Sequence, residues 1–172
     1  LWSELQSRGR LNRPRLEWFV QTAVQAQTGD EIDVGRLYAG YRRFVDGTAG
    51  LGQANAQLAM LNRFAGQYKA LVLGSGDSPV AVFGRRVAVW DASPTHALAI
   101  RVAASDLSVD EQSLIFSCIE SYLVRRAVCG LSRKNYNKVF ALQLKKLFES
   151  GADARAFKDL LGGLTGEASR WP

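Results

Sequence analysis

One histidine, His96, stands among the 172 residues of this chain, and that fact limits its chemistry. A nucleophile–base arrangement would rest on this side chain alone. It follows Pro94 at the expected start of a helix, a common place for a surface histidine. A zinc centre needs ligands that converge, and neither C-x-x-C nor H-E-x-x-H spacing occurs. Gly74-Ser75-Gly76 begins like a dinucleotide turn, but Pro79 takes the place of the third glycine. No glycine-rich loop runs into Lys-Ser or Lys-Thr, so a P-loop is excluded too. Asp110 and Glu111 are adjacent acids at a helix start, where the macrodipole favours them. No catalytic residue and no metal ligand is expected.

Two other sets of residues are candidates for function. Glu120 is a carboxylate on the most apolar stretch of the chain, and a buried carboxylate needs a partner. Arg125 and Arg126 follow too far along the same helix to face it. The donor is expected on another element, from Arg133, Asn135, Asn137 or a terminal amide. Glu120 and Asn137 are thus expected in a buried polar network, with ligand binding as the alternative. The second set is basic. Between Ser121 and Phe148 lie Arg125, Arg126, Arg133, Lys134, Lys138, Lys145 and Lys146, and no acid. The net charge of +6 is therefore one local feature, since the other 15 basic residues face all 16 acidic ones. Lys134, Lys138 and Lys145 fall within about 40° of one another at 100° per residue. Such a face is a solvated surface, a nucleic-acid backbone contact or a docking site for another domain. Tyr136 and Phe140 lie on the other side, so base stacking by this helix is not expected.

Helices must position these residues, because the pattern is helical almost throughout. Leu16, Phe19, Val20 and Ala23 recur at helical spacing after Pro14 and stop at Gly29. Asp33 is the expected N-cap of a second helix that carries Leu37, Tyr41, Phe44 and Val45 and closes at Gly47. Ala54, Leu58, Leu61, Ala65, Tyr68 and Val72 form one stripe of a third helix that ends at Gly74. Val80–Trp90 fits both a strand and a helix; helix is chosen because no second strand is evident to pair with it. Ser93-Pro94 opens a helix through Leu98, Ile100 and Val102. Ser108 and Glu111 form a capping box for a helix that runs to Cys129. Apolar side chains cover every side of that helix, so it is expected at the centre of a bundle, with Gly130 as its left-handed cap. Arg133–Glu149 follows, buried through Tyr136, Val139, Phe140, Leu144 and Leu147. A short helix with Ala156, Phe157, Leu160 and Leu161 comes last, and Thr165–Pro172 reads as irregular.

Composition agrees with a globular domain: 47% hydrophobic and 22% charged residues. No apolar run reaches the ~18 residues that span a bilayer, and no signal peptide is visible. Cys118 and Cys129 are eleven residues apart on one expected helix, roughly 16 Å at 1.5 Å per residue. A disulfide requires about 7 Å, so two buried thiols in a reducing cytosol are expected.

Ser108 to Phe140 contains Ile119-Glu120-Ser121-Tyr122-Leu123-Val124-Arg125-Arg126, Cys129-Gly130 and Asn135-Tyr136-Asn137-Lys138-Val139-Phe140. It resembles the helical region of the GmrSD-type restriction endonucleases. Arg15-Leu16-Glu17-Trp18-Phe19, Gly35 to Phe44 and Arg170-Trp171-Pro172 are similar to other parts of that region. The resemblance implies a larger anti-phage protein, with a ParB-like nucleotide-hydrolysing domain before this region and an HNH-type, metal-dependent nuclease after it. It implies a nucleotide and a divalent metal in those domains and no cofactor here. Asp46-Gly47 is followed by Thr48-Ala49 rather than Gln-Gln-Arg, and one histidine cannot make an HNH site. No catalytic residue carries over.

The expectation is thus an all-α bundle of about seven or eight helices around a central apolar helix, spanning 1–172 as one domain of a larger cytoplasmic protein. Its role would be non-catalytic, joining domains and contacting DNA through the basic residues, with no membrane partner. The alternative is a protein-interaction or dimerisation module that forms a homo-oligomer.

Overall fold

A computed structural model describes residues 1–8, 11–46, 52–90, 92–151 and 153–162. Among them are eight helices and one two-stranded sheet, an all-α bundle with a small hairpin at its edge. Gly47 and the Thr165–Pro172 tail lie outside the described residues.

The hairpin was not expected. Strands β1 (Leu5–Arg8) and β2 (Leu11–Pro14) pair antiparallel, with Leu5 opposite Pro14 and Arg8 opposite Leu11. Its apolar residues Leu5 and Leu11 both face solvent, so the alternation that marks a half-buried strand is missing. The segment serves α1 (Arg15–Thr28) instead. The first amides of that helix need acceptors, and Pro14 offers no side-chain cap. Carbonyls of Glu4 and Trp2 take the amides of Arg15 and Leu16 at 2.8 and 3.0 Å. The Trp18 indole donates to the Gln6 carbonyl at 2.8 Å and locks the hairpin onto α1.

Gly29 ends α1 at φ +72°, with its amide on the Gln25 carbonyl. Asp33 caps as expected, but it caps a 3₁₀ turn (Val34–Arg36), accepting from the Gly35 amide at 2.9 Å. Then follows α2 (Leu37–Asp46), which buries no residue. Helix α3 (Gly52–Leu73) is fully buried only in its second half, with Met60 and Leu61 partly buried against the core before it. The stripe expected along its whole length is only partly right. Tyr68 is buried, but Leu58 is 58% exposed, and Phe64 and Leu71 make the actual contact face. Gly74 ends it in the left-handed region as expected.

The ambiguous stretch is helical: α4 (Pro79–Val87) continues into a 3₁₀ turn at Ala88–Trp90. It presses against α3 at Gly84, where a side chain would collide with the Leu71 carbonyl. Next come α5 (His96–Ala103), α6 (Val109–Val128), α7 (Tyr136–Glu149) and α8 (Ala154–Gly162). The Ser108–Glu111 capping box is formed at the start of α6. Gly130 takes φ +64° after its end.

The central apolar helix is α5 rather than α6. Leu98, Ala99, Ile100 and Val102 are fully buried, and α5 meets α1, α3, α4, α6 and α7. Helix α6 buries only Ile115, Phe116, Ile119, Leu123 and Arg126. It lies on the outside of the bundle, with α4 and α8 against it. Phe83 of α4 stacks on Phe116 at 4.8 Å.

Candidate functional site

The hairpin, α3 and α5 bring together three residues that lie far apart in sequence. Arg8 extends from β1, and its Nη2 donates to the Tyr68 hydroxyl at 2.8 Å. The same nitrogen lies 3.2 Å from His96 Nδ1. Its guanidinium also sits 4.7 Å over the Trp18 ring. A guanidinium can only donate, so His96 Nδ1 accepts and the ring is neutral with its proton on Nε2. Removal from water, together with the Arg8 charge, holds the His96 pKa well below the ordinary histidine range. Burial likewise raises the Tyr68 pKa, against the pull of Arg8 and Arg15. His96 does start a helix, as expected, but it is half-buried in this cluster rather than on the surface.

Arg8 forms part of the wall of two clefts. The larger, about 760 Å³, lies between α1, the 31–34 segment and the start of α7. Trp18, Glu31, Arg133, Lys134 and Asn137 line it with Arg8. Asp33 also faces it, with one carboxylate oxygen already on the Gly35 amide. The smaller, about 520 Å³, is lined by Arg8, Arg15, Ser93 and His96 together with Leu71, Val72 and Val87. Among the described residues, no three His, Cys, Asp or Glu side chains gather as a metal centre would need.

The basic set divides. Arg133, Lys134, Lys138 and Lys146 are exposed, as is Arg125. Arg133 also donates to the Trp90 carbonyl at 2.9 Å and so ties the 131–135 segment to the end of the α4 region. Lys145 has turned away from the stripe and pairs with Asp30 at 2.6 Å, which raises its pKa. Arg126 cannot touch a partner, because it is 5% exposed. It donates to the Ser132 carbonyl at 2.6 Å and lies 5.6 Å from the rings of both Tyr122 and Tyr136. It is a brace between the end of α6 and the start of α7.

No family model, curated protein or solved structure matches this chain.

The expected Glu120–Asn137 network is not formed. Glu120 keeps 21% exposure and pairs with Arg86 of α4 at 3.2 Å. Its place at the rim, rather than under a neighbouring helix, follows from α6 lying at the surface. Asn137 is exposed in the first turn of α7 and faces the larger cleft. Arg8, Tyr68 and Trp18 were missed as a set, since nothing in the sequence near position 8 points to residues 60 and 88 positions later. The lone histidine was the one available signal.

Proposed function

We propose that this chain is a non-catalytic helical module that holds the phosphate backbone of nucleic acid. The contact runs along the edge where residues 131–138 meet the larger cleft. The observation that carries this reading is the convergence of Arg133 and Lys134 with Arg8 on that cleft, with Lys138 one turn further along α7. Lysine and arginine at such an edge bind by releasing counterions and do not read base sequence. Glu31 and Asp33 line the same cleft and offset part of its positive charge.

The parent protein in this proposal is a GmrSD-like, modification-dependent anti-phage endonuclease of the cytoplasm, in which the module links the nucleotide-hydrolysing and nuclease parts. The Ser108–Phe140 resemblance supports it. The full reading frame tests it: a frame without either flanking domain removes the endonuclease assignment.

Fluorescence anisotropy with a labelled duplex, titrated from low to moderate salt, tests the nucleic-acid contact. Three phosphate contacts, from the exposed Arg133, Lys134 and Lys138, give a log–log slope of roughly −3, and Lys134→Ala or Arg133→Ala lowers it by about 1 each. No duplex retention at the lowest salt, or a slope indifferent to both substitutions, defeats this reading.

A further inference from the structure

Helix α5 ends beside α3 with two arginines in one cleft. The cleft, about 540 Å³, is lined by Arg63, Arg101, Leu107 and Phe148, and also by Asp106 and Glu111. Arg63 reaches across from α3 and donates to the Ala104 carbonyl at the end of α5. Arg101 stands one turn earlier on α5. Its Nη1 donates to Gln27 Oε1 at 3.2 Å, and its guanidinium lies 4.8 Å from the centre of the Phe148 ring. Neutral groups therefore hold both guanidiniums in place. Among the described residues neither forms an ion pair. Removal from water, and then the charge of Arg63, lower the Arg101 pKa.

Helix capping explains only part of this arrangement. The end of a helix carries about half a negative charge, against two full positive charges here. Glu111 already accepts from the Ser108 amide at 2.8 Å and its hydroxyl at 2.6 Å, within the capping box of α6. Asp106 is exposed and pairs with neither arginine. Each guanidinium has five N–H donors and makes one hydrogen bond among the described residues.

We infer that this cleft is an anion site, in which Arg63 and Arg101 together hold a small phosphate dianion, either inorganic phosphate or the head of a phosphate monoester. A guanidinium fork matches two phosphate oxygens, so two forks match one tetrahedral dianion in charge and in donors. The bound anion also offsets the repulsion between the two arginines. Leu107 and Phe148 give the organic part of an ester an apolar contact. Asp106 and Glu111 share the cleft and offset part of its charge, so the dissociation constant is on the order of 1 mM.

NMR titration of this chain with inorganic phosphate and, separately, with phenyl phosphate tests the site at constant ionic strength. Saturable amide shifts are expected at Arg63 and through residues 101–107, and chloride should give none. Equal affinities identify free phosphate as the ligand, and tighter phenyl phosphate identifies a monoester. Arg63→Gln keeps a donor for the Ala104 carbonyl but removes the charge. It should weaken phosphate at least ten-fold, while the melting temperature without phosphate stays the same or rises. Arg101→Gln should weaken phosphate equally. No saturation by about 20 mM phosphate overturns the inference. So does an Arg63→Gln variant that melts lower yet binds phosphate as before, which makes Arg63 a cap alone. The cleft shares no residue with the nucleic-acid edge, so Arg63→Gln should leave the salt slope of duplex binding unchanged. A slope reduced by about 1 makes Arg63 a backbone contact and overturns the small-anion assignment.

Discussion

Helices α5 and α6 invert what their sequences predict. Helix α6 has twenty residues and apolar side chains on every side, yet it lies at the surface with Val128 81% exposed. Helix α5 has eight residues, and among them Leu98, Ala99, Ile100 and Val102 are fully enclosed. The difference lies in neighbours. Helix α5 is surrounded by α1, α3, α4, α6 and α7, whereas α6 has α4 and α8 along it. A helix is buried when other elements close over it, and its own hydrophobicity only makes that favourable. Small residues let α5 take this place. Ala97, Ala99 and Ala103 allow neighbouring helices to approach from several sides at once.

Truncating each helix measures this contrast most sharply. Ile100→Ala should cost about 2–5 kcal/mol in chemical denaturation, because the tightly packed neighbours can close the cavity only in part. Val128→Ala should stay within about 0.5 kcal/mol. Equal costs would mean that α6 is covered in solution. A second pair lies at the end of α6 itself. Arg126→Ala removes the brace on Ser132 and two tyrosine rings and should cost about 2 kcal/mol, while the adjacent Arg125→Ala should change stability little. A reversed order would undo the assignment of Arg126 as structural.

Gln143 gives a smaller effect of opposite sign. It is fully buried on the face that α7 turns inward, and neither its amide nitrogen nor its carbonyl oxygen has a hydrogen-bond partner. Gln143→Leu should stabilise the fold by about 1 kcal/mol, or roughly 3 °C in melting temperature. Destabilisation there would reveal a polar partner. The mildest test is pH. The folded His96 pKa is depressed, so between that value and the unfolded value near 6.5 the unfolded chain binds the extra proton. Stability is therefore fully present above about pH 6.5 and declines as pH falls towards the folded pKa. His96→Gln should flatten this slope in urea midpoints, and because the chain has one histidine, an unchanged slope would rule His96 out as its source.

The helices were legible because their start and stop signals are local. Ser108 with Glu111, Asp33, and the glycines at 29, 74 and 130 each act within one turn, and each is found in its expected conformation or role. The candidate site was much less legible. Arg133, Lys134 and Asn137 were named from sequence and do share a cleft. Arg8 completes that cleft from a hairpin with no buried apolar side, which leaves no periodicity to read. Glu120 was correctly expected to pair with another element, but the partner is Arg86 rather than any of the residues proposed for it.

The sequence by itself determined that this chain is helical, where most of its helices begin and end, and that its excess positive charge is confined to one region. Those properties depend on hydrogen bonds and side chains a few residues apart. Tertiary structure decided which helix occupies the centre, which of two adjacent arginines is buried, and that Arg8, Tyr68 and His96 meet. Each of those outcomes depends on which surfaces far apart along the chain pack together, and neighbouring residues carry no record of it.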